Sequence, residues 1–511
     1  MWNTCLISMV LYEALWAKTF GTSENDYLYG IAATPDGGIV VTGEVNDNDD
    51  IFVAKLSPLG AIQWAKTIGG QYGQTGIDII PTSDGGYAVL AGVIGWASNW
   101  GDIGLVKLNA NGDIQWAKAY GVFGQNLNES PVKFVQTPDG GFVIVGSTNS
   151  FGCTYGGLLV FKVSSDGSLV WSKVFYSGGQ YGGDMPHDLI NTSDGGLVIA
   201  GYSSGIYSQG DDFLIIKLSA DGSVVWMRLY EAVDSDQATS ILQTPEGYLL
   251  VAGSSNSFGI GEYSGPILLL SPDGNLLWAK LYRVGGTNTA LVFRDAVRTS
   301  NGDFILLGHA NGFGGAGSYD IVVIKISSSG ALLRAQWFGG SSSDYSWFIG
   351  TTADGEYVLS GYTRSFGAGG RDILLLRVNR EGDYPGCLVS WNPREGTPSF
   401  SMVCPSYGRD VSPSVVSVNP PVSTISLTSL DLCAPVEIDE SEDKEGGDII
   451  CHVSSGRALF YSSAEALLEI YSPDGTRVLS YHLREGRNEI ILKRGLYLWR
   501  SGTKTGKVVV R

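Results

Sequence analysis

Seven near-copies of one unit run through most of this 511-residue chain, and that repetition limits its fold more than any other feature. Trp-Ala-Lys or a close variant recurs as WAKTFG at Trp16, WAKTIGG at Trp64, WAKAYG at Trp116, WSKVFY at Trp171, WMRLY at Trp226 and WAKLY at Trp278. A seventh, degenerate copy, RAQWFGG, starts at Arg334. The spacings are 48, 52, 55, 55, 52 and 56 residues. A second marker, Thr followed by a tight turn, appears at Thr34, Thr82, Thr137, Thr192, Thr244, Thr299 and Thr352.

Between these markers each unit repeats one order: a short segment ending at the Thr, a β-rich run ending in Gly (Gly43, Gly92, Gly146, Gly201, Gly253, Gly308, Gly361), a loop, and an apolar run such as DIFVAKL or DFLIIKL. The turns TPDGG and NANGD carry the Gly, Asn and Asp that tight hairpins need for positive φ. Each unit therefore holds four antiparallel strands, A to D. Units of this size that cannot bury both faces alone close into a ring, and the count predicts a seven-bladed β-propeller over residues 15–382. The chain starts with a D-type strand at Trp16 and ends the seventh unit at strand C (DILLLRV), so the N-terminal strand should complete the last blade. Composition agrees with this all-β reading. Glycine supplies 71 residues, which suits many turns and disfavours helices.

The quoted repeat resembles the secreted β-propeller repeats of bacteria and archaea over residues 16 to 382, a resemblance that speaks for architecture and not for a ligand. The stretch from strand C to the Trp, as in KLSADGSVVW, resembles the tryptophan-docking motif of quinoprotein propellers. That resemblance implies that Trp16, Trp64, Trp116, Trp171, Trp226 and Trp278 pack between adjacent blades.

After Gly382 the texture changes. Residues 383–453 are rich in Ser, Val, Thr and Pro, then acidic from Glu437 to Asp448, and read as a linker whose acidic run is a solvated spacer. Cys387, Cys404, Cys433 and Cys451 fall in or near it and, with no CxxC pair, suit one or two disulfides better than a metal site. Residues 454–511 alternate strongly and form a small β-sandwich-like module. Its strand, Asp474-Gly475 turn, strand and Gly495-Leu496-Tyr497 series resembles the C-terminal sorting domain of type IX secretion cargo, which implies export by that machinery to the outer cell surface or beyond. At the other end, residues 1–14 are an unstructured arm or a degraded signal peptide, since CLISMVL has no preceding Lys or Arg. No apolar run reaches the about 18 residues of a membrane-spanning helix, and a net charge of −18 disfavours nucleic acid.

Catalytic signatures are weak. Gly201-Tyr202-Ser203-Ser204-Gly205 has the spelling of a nucleophile elbow but leaves a propeller strand without entering a helix. The arginines a sialidase-like propeller would gather on a carboxylate (Arg228, Arg283, Arg294, Arg298, Arg364, Arg371) fall at unlike repeat positions. Quinoprotein activity lacks its vicinal cysteines.

Binding surfaces remain. Eight residues before the Thr markers stand Asp26, Glu129, Asp184, Asp236 and Asp344, with Gln74 and Leu291 in the other two units. These carboxylates either accept backbone N–H groups in their own loops or line the channel mouth, where calcium or another cation would relieve their repulsion. The recurring Ser-Phe-Gly of the B–C loops reads as a loop anchor. The unrepeated Trp96 and Trp100 are candidates for glycan stacking or protein contact. The expected function is an exported or cell-surface binding module, with no cofactor and with a protein or glycan ligand on the longer-loop face. A polysaccharide-active enzyme using the mouth carboxylates and a structural surface-layer component are the alternatives.

Overall fold

The computed structural model describes the backbone of residues 15–510 apart from loop segments, the longest of which is 432–448, and side chains through Arg394. The described residues contain strands and no helix. Seven sheets each contain the four strands A to D of one repeat, consecutive in the chain in all but one of them. Their inner strands are Tyr27–Ala33, Gln74–Pro81, Glu129–Gln136, Asp184–Asn191, Asp236–Gln243, Leu291–Arg298 and Asp344–Thr351, which number blades 1 to 7. These inner strands lie against one another around a central channel. Blade 7 is completed from the other end of the chain: Trp16–Gly21 pairs antiparallel with Asp372–Val378, in the register Trp16 to Arg377 and Phe20 to Ile373.

Seven apolar layers hold the ring together, one between each pair of blades, because every middle strand sends alternate residues to opposite faces. Val41 joins the layer between blades 7 and 1, and Val40 the layer between blades 1 and 2. Each docking tryptophan lies on the C–D turn of the next blade. Trp16 covers Gly60 and donates its indole N–H to the Pro58 carbonyl at 3.0 Å, and Trp226 repeats this with Gly274 and Pro272. Both glycines have positive φ, and a Cβ there would meet the ring at 2.9–3.1 Å, so the recurrent turn glycine serves turn and docking together. Trp64, Trp116, Trp171 and Trp278 cover Gly112, Gly167, Gly222 and Gly330 in the same way. In the degenerate copy Arg334 replaces the tryptophan and joins blades 6 and 7 by an ion pair with Asp383 at 2.6 Å. The Thr-Asp turns are equally structural: Thr82 donates to Asp84 at 2.5 Å, and Asp84 pairs with Lys107 of its own blade.

The segment expected to be a linker does something else. Seven short strands within it each add a fifth, outer strand to one blade: Val389–Ser390 on blade 6, Arg394–Gly396 on blade 5, Ser401–Val403 on blade 4, Arg409–Asp410 on blade 3, Ser414–Val418 on blade 2, Val422–Thr424 on blade 1 and Thr428–Asp431 on blade 7. These seven strands thus follow one another around the propeller as a belt, against the blade order. Every outer edge offers unpaired N–H and C=O groups, and a chain rich in Val, Ser and Thr satisfies them readily.

A second compact unit spans Ala434–Arg511. It contains a three-stranded sheet (Ile449–Ser454, Arg457–Ser462, Gly486–Ile491) and a four-stranded one in which Ala466–Tyr471 is flanked by Arg477–Leu483 and Gly495–Ser501, with Lys504–Val510 at the edge. The N-terminal 14 residues and the side chains of the four late cysteines lie outside the described residues. Cys153 is buried.

Candidate functional site

The five carboxylates expected at the channel mouth begin their inner strands, or directly precede one in the case of Asp26, and all are buried. They turn into their own blades. Asp26 accepts the Thr22 N–H at 2.7 Å. Glu129 takes the Val122 N–H and the hydroxyls of Thr148 and Ser150, and Asp344 takes the Gly340 N–H and the hydroxyls of Thr363 and Ser365. Ser257 serves Asp236 at 2.7 Å, while Asp184 is fully buried opposite Ser203. The serine of the recurring Ser-Phe-Gly is therefore the partner of the recurring acid in blades 3, 5 and 7, and together they clamp the D–A and B–C loops. Among the described residues no three of His, Cys, Asp or Glu form a group that could hold a metal. Of the two readings given for these acids, acceptance of N–H and hydroxyl groups from their own loops is the one these bonds follow.

Trp96 also differs from expectation: it is half-buried against the layer between blades 1 and 2. Trp100 stays on the surface, 41% exposed. The loop phenylalanines anchor on neighbouring rings, Phe313 on Trp337 at 5.4 Å and Phe366 on Phe338 at 5.5 Å.

What faces the channel is set by a β-bulge that recurs in every inner strand, at Leu28/Gly30, Gly76/Asp78, Pro131/Lys133, Pro186/Asp188, Ala238/Ser240, Phe293/Asp295 and Ser346/Ile349. The extra residue frees the fourth and fifth side chains from the blade alternation and turns them inward. The fifth positions stitch the ring. Asp188 accepts its own Leu189 N–H and, from blade 5, the Ile241 N–H, both at 2.8 Å; Asp295 accepts Ser240 of blade 5 at 3.0 Å and the Ile349 N–H of blade 7 at 2.9 Å. Lys133 pairs with Asp78 at 3.3 Å and reaches the Phe348 ring. Burial pushes Asp188 up to about 7, with Asp295 adding to the rise.

Above this floor the channel wall is unlike on its different sides. At the fourth position stand Tyr29, His187, Arg294 and Trp347; at the second, and opposite it on strand B, stand Tyr27, Tyr345, Tyr362 and His309. Across blades 6, 7 and 1 these residues form a continuous run: Tyr319 to Tyr345 at 5.1 Å, Tyr345 to Tyr362 at 5.1 Å, Tyr362 to Tyr27 at 5.8 Å and Tyr27 to Tyr29 at 5.9 Å. All five tyrosines are half-buried. Arg371 stacks over Tyr27 and Tyr362 at 5.0 and 5.3 Å and donates to the Tyr27 hydroxyl, while Arg294 stacks over Trp347 at 5.0 Å. Arg371 and Arg364 both lie within electrostatic reach of the Tyr362 hydroxyl, and Arg294 within reach of Tyr345 and Tyr362. His309, packed on Tyr345 at 4.8 Å, is held neutral, its pKa lowered to about 3 by burial and by Arg294. Three arginines at unlike repeat positions therefore lie within electrostatic reach of one tyrosine, Tyr362, which spacing along the chain did not reveal. The available signal was the departure of these positions from the repeat: where blade 7 has Tyr345 and Tyr362, blade 3 has Ser130 and Ser147.

A shallow cleft on the opposite, tight-turn face is lined by Gln243, Arg298, Thr299 and Tyr357, but its Arg298 faces Glu246 at 3.9 Å.

Residues 192–224, the A–B turn through strand C of blade 4 and the start of strand D, match a family model described as a domain of unknown function (DUF5122) beta-propeller. No curated protein matches the chain. Among solved structures it is similar to the hydrazine synthase of Kuenenia stuttgartiensis (12% identity, covering 70% of this chain and 97% of that one, TM-score 0.45). It is also similar to a protein of unknown function from Dyadobacter fermentans (12% identity, 77% and 98%, TM-score 0.39) and to a glucose dehydrogenase (12% identity, 71% and 99%, TM-score 0.35).

Proposed function

We propose that this chain is an exported binding module that holds a saccharide at the wide mouth of its propeller channel. The observation that carries the reading is the run of half-buried tyrosines from Tyr319 to Tyr29, confined to blades 6, 7 and 1 of an otherwise repetitive ring. Blade 4 places one tyrosine, Tyr202, at the same strand position, packed on His187 at 5.3 Å, but packing demands common to all blades do not explain a continuous run of five. Aromatic faces accept the apolar face of a sugar ring at low entropic cost, and the phenolic hydroxyls supply hydrogen bonds at its edge. Catalysis gains no comparable support, because both oxygens of Asp188, a channel acid that burial pushes up to about 7, are occupied by backbone N–H groups. Export rests on the resemblance of residues 454–511 to a sorting domain.

Two experiments test the two parts. Tyr345→Ala and Tyr27→Ala should each weaken glycan binding at least tenfold while leaving the melting temperature within a few degrees; unaltered binding would remove the mouth from consideration. Residues 434–511 fused behind a functional signal peptide to a reporter should leave a type IX-competent cell, and a fusion retained in the periplasm would refute the export reading.

A further inference from the structure

We infer that the ligand is an acidic saccharide whose anionic group is held by Arg294 and Arg371; this rests on the saccharide reading above and adds the chemical class. Several of the fold's buried cations pair with acids. Lys107 and Lys217 pair with Asp84 and Asp194, Lys325 with Glu381, and Arg377 with Glu356 and Asp354. Among the described residues the half-buried Arg294 and Arg371 have no such partner and stand at the channel mouth; Arg228 and Arg283 also lack an acid, but each donates to a backbone carbonyl, Arg228 to that of Met227 and Arg283 to that of Phe258. With 51 acidic against 33 basic residues, the chain does not lack acids to place there.

Arg294 is half-buried and makes neither an ion pair nor a hydrogen bond among the described residues; the Nε atoms of Arg294 and Arg371 are both buried without an acceptor. A guanidinium withdrawn from water without an acceptor is costly, and an incoming oxyanion would remove that cost. Arg294 lies over Trp347 and Arg371 over Tyr27 and Tyr362, contacts that hold the guanidinium groups in place and leave N–H donors for an oxyanion. A carboxylate or a sulfate on a sugar ring meets this geometry, while the tyrosine run takes the ring.

The test is an array of neutral, uronate-bearing and sulfated glycans probed with the intact chain, followed by titration of the best ligand. Binding is expected to concentrate on acidic glycans, to exceed that of the matched methyl ester or desulfated glycan at least tenfold, and to weaken with salt. Arg294→Gln and Arg371→Gln should each erase most of that preference, and Arg294→Lys should restore part of it. Arg371 lies at the rim, so its variant keeps the test valid should the Arg294 variants unfold. Equal binding of charged and neutral forms, with loss in Tyr345→Ala, would overturn the inference while leaving the saccharide reading intact; no bound glycan in any class would overturn both. The uronate and sulfate arms identify which oxyanion the arginines take.

Discussion

The ammonium of Lys133 lies 4.7 Å from the centre of the Phe348 ring, reaching from blade 3 to blade 7 across the channel. Non-adjacent blades can touch only through the middle of the ring, so this contact fixes the channel floor. Three carboxylates, Asp78, Asp188 and Asp295, surround Lys133 and keep it charged. Lys133→Met preserves much of the stem but leaves those acids without a cation, a loss of about 3–5 kcal/mol for a broken buried pair. Melting curves should show a larger deficit at pH 8 than at pH 5, where the acids can take up protons; a deficit independent of pH would argue against this role.

Asp188 gives a second pH prediction. Its carboxyl is pushed from 3.8 up to about 7 by burial, so between these values the folded state binds a proton that the unfolded state lacks. Its contribution to stability therefore falls as pH rises from about 4 to 7. His309 acts in the opposite sense, since a pKa of about 3 against 6.5 makes the unfolded state the better proton acceptor and raises stability with pH over that window. Asp188→Asn removes the first contribution alone. The melting temperature of the variant relative to the parent should accordingly improve from pH 4 to pH 8, and a constant difference would contradict the assignment.

These titrating residues mark where sequence reading stopped. The blade count, the closing strand and the docking tryptophans were legible because each is a seven-fold demand written in large or special residues, as with Trp226 over Gly274. The bulge was not, because one extra residue shifts register without changing composition: Asp188 and Lys133 occupy the same structural position yet share no chemistry. Asp344 was legible as a recurring acid but not as the partner of Ser365, since the two are joined only once strands A and B pair. The belt leaves no signal in the sequence because strands such as Val389–Ser390 borrow an existing edge and need no hairpin turn or repeat of their own.

Two docking tryptophans separate packing from hydrogen bonding. The Trp226 indole N–H reaches the Pro272 carbonyl at 3.0 Å, whereas that of Trp171 is buried with no acceptor among the described residues. Replacement of either by Ala should cost about 3–5 kcal/mol through lost contact with the next blade. Replacement by Phe should discriminate: Trp226→Phe loses an additional bond of about 1 kcal/mol, while Trp171→Phe loses none and sheds an unsatisfied donor. Denaturant titrations giving equal costs for the two Phe variants would show that the Pro272 bond contributes nothing.

The belt makes the propeller's outer edge a property of the residues that follow it. Thr428–Asp431 pairs with the same strand, Trp16–Gly21, that closes blade 7, so this strand is held on both sides, by Ile373 through Phe20 and by Ser429 through Phe20. A chain ending at residue 433 keeps every fifth strand and should remain monomeric with cooperative unfolding. A chain ending at residue 388 uncovers seven edges at once, each able to pair with another molecule, and should associate with increasing concentration. Deletion of residues 1–22 opens blade 7 and detaches one end of the belt, so it should lower the melting temperature as well. Light scattering and melting curves compare the three; a monomeric chain ending at residue 388, with unfolding like that of the chain ending at residue 433, would show that the belt does not protect the ring.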